Sequence, residues 1–149
     1  MFKPQVILHP TDYSACANYA FGIAIDLARQ FGARLLILHV ADTLGAEHVS
    51  HADAISKPQP AGQRKRLQEE LHRIQPPAGS GVSVQHLLEE GDAGTVIAAV
   101  AARDHCDLIV MGTYGRSLVS RLLTGSVTQK VSHLSTCPVL TVRKPQPSN

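Results

Sequence analysis

The sequence predicts an α/β protein in which a five-stranded parallel sheet carries helices on both faces. Short continuous apolar runs recur along the chain, as expected of strands buried on both sides. Stretches with helical apolar spacing lie between them, so strand and helix alternate. With 149 residues the chain suits one domain, and 44% hydrophobic content excludes a disordered one. With no Trp and few Phe and Tyr, the core must be aliphatic.

The first strand is Val6-Ile7-Leu8, ended by the turn signal Pro10-Thr11-Asp12. Ala20, Ile23, Ala24, Leu27, Ala28 and Phe31 then fall at helical spacing, predicting a helix over 15–31 that Gly32 stops. Residues 35–40 form a second buried strand. Residues 41–62 hold Gly45, His48, His51, Pro58 and Pro60 without a clear period. They predict a long loop with a helical turn around 51–55. A charged helix over 63–74 follows, closed by Pro76-Pro77, and then a third strand over 82–88. Asp92 caps a helix over 93–105. The fourth strand is 108–111, a loop runs to 124, and a helix covers 126–134. Pro138 leads into a fifth strand, Val139–Val142. The polar, proline-rich tail 144–149 is expected to be loose. Right-handed crossovers join such strands.

The formal net charge of +2 is too small for general nucleic-acid affinity. Arg64, Lys65 and Arg66 are followed at once by Glu69 and Glu70, the pattern of a solvated helix face laced with ion pairs. Cys16, Cys106 and Cys137 are odd in number and form no C-x-x-C, so neither a disulfide framework nor a zinc knuckle is expected. Cys106 and Cys137 read as small buried residues. Cys16, in the first turn of a helix, sits where a thiolate is favoured. No apolar run is long enough to cross a bilayer, and the N-terminus carries no signal-peptide core. A cytoplasmic location is expected. His48 and His51 stand three apart without a supporting Cys or carboxylate pattern, so no metal site is expected. His9 and His39, at strand ends, read as packed or hydrogen-bonded.

The most informative segment follows the fourth strand. Two residues separate Gly112 from Gly115, nine separate Gly115 from Gly125, and Ser126 follows. Gly112 and Gly115 allow a sharp turn with exposed N–H groups, and Gly125 allows close approach to a phosphate. Ser126, Val127 and Thr128 open a helix whose dipole favours anions, and Arg116 adds charge. By spacing alone, turn glycines with an N-cap serine explain the pattern equally well. The chain lacks the P-loop and the G-x-G-x-x-G fingerprint.

These residues resemble the universal stress protein family, in its ATP-binding class with G-x2-G-x9-G-[ST]. Ile7-Leu8-His9-Pro10-Thr11-Asp12-Tyr13-Ser14 is similar to the family's first strand and turn. Leu38-His39-Val40 is similar to its second-strand ending, and Cys137-Pro138-Val139-Leu140-Thr141-Val142 to its last strand. The likeness spans about residues 5–143. It implies a three-layer, Rossmann-like sandwich of the adenine nucleotide alpha hydrolase type, with strand order 3-2-1-4-5. It further implies that Pro10, Thr11 and Asp12 lie beside the nucleoside, that Val40 meets adenine through its backbone, and that Met111 and Gly112 flank the ribose. Gly115, Arg116, Gly125, Ser126, Val127 and Thr128 would hold the phosphates of ATP or AMP, with Mg2+. Tyr114 and Leu118 depart from the family's usual His and Gly.

The resemblance implies a nucleotide-dependent stress or regulatory module. It implies a homodimer paired through Val139–Val142 and a further protein partner. Asp12 is the one carboxylate that the sequence places near the site. It also suits a role at the start of the first helix, with Ser14 as cap. No catalytic residue is assigned, and slow ATP hydrolysis is the most that is expected. The rival readings are an interaction module without nucleotide and a slow ATPase.

Overall fold

The computed structural model describes residues 1–41, 61–113 and 125–145. Among the described residues, five strands alternate with four helices. They are β1 (Val6–Pro10), α1 (Ala15–Phe31), β2 (Arg34–Ala41), α2 (Ala61–His72), β3 (Val84–Glu90), α3 (Ala93–Arg103), β4 (Leu108–Gly112), α4 (Ser126–Leu134) and β5 (Val139–Val142). The strands are all parallel, in the order β3-β2-β1-β4-β5. The expected fold class and strand order are both observed.

Side-chain alternation divides the core into two layers. Ile7, Leu35, Ile37, Leu108 and Val110 pack with α1 and with Leu71 of α2. Leu8, Leu36, Leu38, Ile109 and Met111 pack with Ile97 and Val100 of α3 and Val131 of α4. Ala20, Ala24 and Ala28 repeat every four residues along α1 and are fully or almost fully buried. Their small side chains bring the helix close to the sheet.

Local signals set the helix ends. Ser14 caps α1 through Ala17 N–H at 3.1 Å, and Gly32 ends it with φ 67°. Asp92 caps α3 through Thr95 N–H at 3.0 Å. It also accepts from Lys130 Nζ of α4 at 2.7 Å, which holds its carboxyl well below the usual range.

Several boundaries move from their expected places. β1 runs on through Pro10 rather than turning there. β2 gains Arg34 and Ala41, and α2 spans Ala61–His72. β3 lies two residues later than expected. As an edge strand it takes Glu89 and Glu90, whose side chains bind Arg103 and Arg64 outside the core. The charge run on α2 thus sends Arg64 across to the sheet, 3.0 Å from Glu90. α3 stops at Arg103, because His105 turns left-handed at φ 51°. Gly45, His48, His51, Pro58 and Pro60 lie outside the described residues, as does the tail from 146. No described helix is long and apolar enough to cross a membrane.

Candidate functional site

The sheet opens where β1 and β4 meet. Their pairing covers only Ile7 with Leu108 and Leu8 with Ile109. Beyond that, β1 ends in Pro10, which has no N–H to give a ladder. His9 Nδ1 lies 2.9 Å from the Val110 carbonyl, so its N–H serves that acceptor in place of a backbone partner. This divergence occurs at the carboxyl ends of the strands, at the point where the strand order reverses, which is the ligand crevice of open α/β sheets.

One wall is the turn after β1. Thr11 is buried, and its N–H donates to Leu38 O at 2.8 Å. Tyr13 adopts φ 64°, unusual for a bulky residue. Two side chains hold the turn: Thr11 Oγ1 accepts Tyr13 N–H at 3.1 Å, and Asp12 Oδ1 accepts Ser14 N–H at 2.9 Å. Asp12 therefore helps launch α1, the structural role the sequence left open for it. His39 of β2 donates from Nδ1 to Thr11 O at 2.9 Å and packs against the Tyr13 ring, centroids 4.6 Å apart. Val40, half-buried, follows at the end of β2.

The opposite wall comes from β4 and α4. Gly112 does not turn the chain, as spacing had implied; it continues β4 and pairs with Val142. A Cβ there would stand 2.9 Å from Cys16 Sγ and 3.0 Å from the Cys16 carbonyl carbon, so Gly112 admits the first turn of α1. Gly125 likewise makes a close approach within the protein. A Cβ there would stand 2.9 Å from Thr113 O, which accepts Gly125 N–H at 2.9 Å. Met111 is buried in the core beneath α3 and α4 rather than facing the crevice. Cys16 is buried with its thiol donating to Val142 O at 3.3 Å, so its sulfur is not presented to solvent.

Gly125 stands at the N-cap of α4 and provides no side-chain cap, whereas Ser14 and Asp92 cap α1 and α3. The first turn of α4 holds no acidic residue. Its leading N–H groups, from Ser126, Val127 and Thr128, precede the helical ladder, which starts with Gln129 N–H to Gly125 O at 3.0 Å. Ser126 and Val127 are exposed. The Thr128 hydroxyl turns inward and donates to Gly112 O at 3.1 Å, so Thr128 offers outward only its backbone.

Thr113 was missed by the spacing argument. It is 7% exposed, and its Oγ1 has no hydrogen-bond partner among the described residues. It lies directly between Gly112 and the Gly125 contact. Its signal in the sequence was its place inside the glycine motif. Gly115 and Arg116, with Tyr114 and Leu118, lie outside the described residues. Among the described residues no group of three or more His, Cys, Asp or Glu side chains is placed to hold a metal.

The sequence matches the universal stress protein family over residues 3–143. The chain belongs to this family. It is 33% identical to universal stress protein MJ0531 of Methanocaldococcus jannaschii, over 98% of this chain and 85% of the relative. It is 36% identical to a Thermus aquaticus universal stress protein, over 96% of this chain and all of the relative. The structure of UspA from Lactobacillus plantarum superposes with a TM-score of 0.74 at 25% identity, covering 96% of this chain and 100% of that one. Two family structures similar in fold were solved with ligands. One, in complex with cAMP, has a TM-score of 0.65 at 23% identity, covering 95% and 98% of the two chains. The other, from Archaeoglobus fulgidus in complex with dAMP, has 0.60 at 19%, covering 95% and 99%.

Proposed function

We propose that this family member binds an adenine nucleotide in the crevice between β1 and β4 and acts as a nucleotide-dependent regulatory module of the stress response. The observation that carries this reading is the buried Thr113 hydroxyl, without a partner among the described residues, beside the N-terminus of α4, which has no side-chain cap. A buried polar atom without a partner costs free energy, and a helix N-terminus without a side-chain cap retains its attraction for anions. A phosphate group would meet both needs.

The nucleoside lies against Pro10, Thr11 and Asp12, with the Val40 backbone toward adenine. The phosphates take the N–H groups of Ser126, Val127 and Thr128, with Gly125 at the N-cap beside them, together with Gly115 and Arg116. Met111 contributes by packing under Gly112. The full G-x2-G-x9-G-S motif supports ATP in particular, and the cAMP and dAMP complexes of fold relatives support the adenine nucleotide class. Mg2+ would ride mainly on phosphate oxygens and water.

Binding rather than turnover is the function proposed, with the nucleotide as an occupancy signal to a protein partner. Asp12 Oδ1 is engaged by Ser14 N–H, and neutral His9 by Val110 O. The proposal includes a cytoplasmic homodimer joined through β5, an edge strand with Leu140 39% exposed.

Thr113→Val tests the carrying observation. Without nucleotide the variant should melt a few degrees higher, since it removes an unpaired buried hydroxyl worth roughly 1 kcal/mol. Saturating ATP with Mg2+ should then raise its melting temperature less than that of the wild type. An equal ATP-induced shift in both proteins would remove Thr113 from the site. No shift in either would favour the interaction-module reading.

A further inference from the structure

The other end of the sheet carries a second cluster of reactive groups. Phe2, His105, Cys106, Asp107, Cys137 and Pro138 line part of an open cavity of about 440 Å³ at the N-terminal ends of β4 and β5. Two of the chain's three cysteines thus share one wall. Cys106 stands three residues before Ile109, and Cys137 two before Val139, and Ile109 and Val139 are ladder partners. Ile109 N–H donates to Pro138 O at 3.0 Å, which fastens the two approaching segments side by side. Carried back along that register, Cys137 stands opposite Asp107, the residue next to Cys106, so the two cysteines lie one residue out of step on adjoining segments. Both cysteines also pack against the same core layer beneath α3.

The two sulfurs differ in a useful way. Cys137 is half-buried, and its Sγ lies 3.4 Å from Ser135 Oγ. Cys106 is buried. Burial first, and then the charge of Cys137, push its thiol up to about 12. Of the two, Cys137 is the more accessible. Reactive cysteines with a nearby resolving thiol show this division of labour.

We propose that Cys137 and Cys106 form a peroxide-responsive dithiol site, in which Cys137 reacts first and Cys106 resolves it. The Cys137 thiolate attacks one oxygen of hydrogen peroxide. The O–O bond breaks, an S–O bond forms, and the departing hydroxide takes a proton to become water. The product at Cys137 is a sulfenic acid. Cys106 then attacks that sulfur and loses its proton. The S–S bond forms as the S–O bond breaks, and a second water leaves. Overall, two thiols and one peroxide give one disulfide and two waters. The link would tie the start of the edge strand β5 to the start of β4, coupling oxidant to the strand at the rim of the sheet.

The test treats the reduced full chain with hydrogen peroxide, then denatures it, alkylates free thiols and maps the peptides by mass. The expected product joins the Cys106 and Cys137 peptides, with Cys16 alone alkylated, and a reductant reverses it. Cys106→Ala should leave a sulfenic acid at Cys137 that dimedone captures. Cys137→Ala should leave Cys106 unmodified at the same dose. Full alkylation of all three thiols after peroxide would overturn the proposal. So would a disulfide from Cys137 to a second chain as the main product, or Cys106 oxidised in the absence of Cys137. The wild-type peptide map decides the matter even if Cys106→Ala does not fold.

Discussion

His9 is enclosed between α1 and the sheet, with its ring 5.4 Å from Phe21. Burial brings its imidazole down to about 4 from the ordinary 6.5, against the opposing pull of the Val110 hydrogen bond and the Asp12 charge. Above pH 6.5 the ring is neutral in folded and unfolded chains alike, and it contributes no pH dependence. As pH falls from 6.5 toward 4 the unfolded chain takes up a proton that the folded chain refuses, so stability is lost. The loss reaches ~3 kcal/mol and is complete below the folded value. His9→Asn keeps an N–H donor for Val110 O but does not titrate. Urea unfolding should show the wild type losing about 3 kcal/mol more than the variant across that window. Identical pH profiles would show that His9 is not buried as a neutral ring. The sequence pointed to a packed or hydrogen-bonded His9. It could not show that the ring replaces a ladder partner where β1 leaves β4, because that depends on how far the two strands pair.

At the scale of elements, α1 and β4 are fitted through Gly112. Gly112→Ala would drive a methyl against the Cys16 sulfur and backbone, and overpacking of this kind costs roughly 1–3 kcal/mol. The companion change Cys16→Ala removes the sulfur but leaves the backbone clash at 3.0 Å, so it should restore only part of the loss. Chemical denaturation of both single variants and the double variant measures this. Full additivity would mean that the two residues do not meet. The alternation of strands and helices was readable because strands buried on both faces are written as unbroken apolar runs. β3 was displaced because an edge strand accepts Glu89 and Glu90, which the same criterion reads as turn. The glycines were found by spacing, but their reasons were not. Which atoms a Cβ would strike at Gly112 and Gly125 depends on partners 96 and 12 positions away in the chain. Thr113 was overlooked for the same reason, since an orphaned hydroxyl is a property of packing.

At the scale of the whole molecule, the two edge strands differ in what they would offer a second copy. β3 carries acidic side chains tied to arginines, which guard that edge. β5 is short, and Leu140 on it is 39% exposed, as are Val127 (38%) and Leu134 (45%) of α4. An apolar rim of this kind fits pairing with a second copy. Val139→Pro removes a backbone donor that faces away from β4, since Ile109 N–H binds Pro138 O and the ladder register turns the Leu140 N–H inward, and it should convert the proposed dimer to a monomer by sedimentation, with the far-ultraviolet spectrum retained. An unchanged sedimenting mass would place the contact elsewhere. Nucleotide bound at the carboxyl end of β4 would reach this edge through the Thr113 N–H to Val142 O hydrogen bond, 2.9 Å.

Titration calorimetry of ATP with Mg2+ into nucleotide-stripped protein, alongside Gly115→Asp, tests the nucleotide crevice most directly. Binding near the micromolar range, about −8 kcal/mol, should appear in the wild type and vanish in the variant. Absence of binding to the stripped wild type at several temperatures, or undiminished binding to Gly115→Asp, would contradict it.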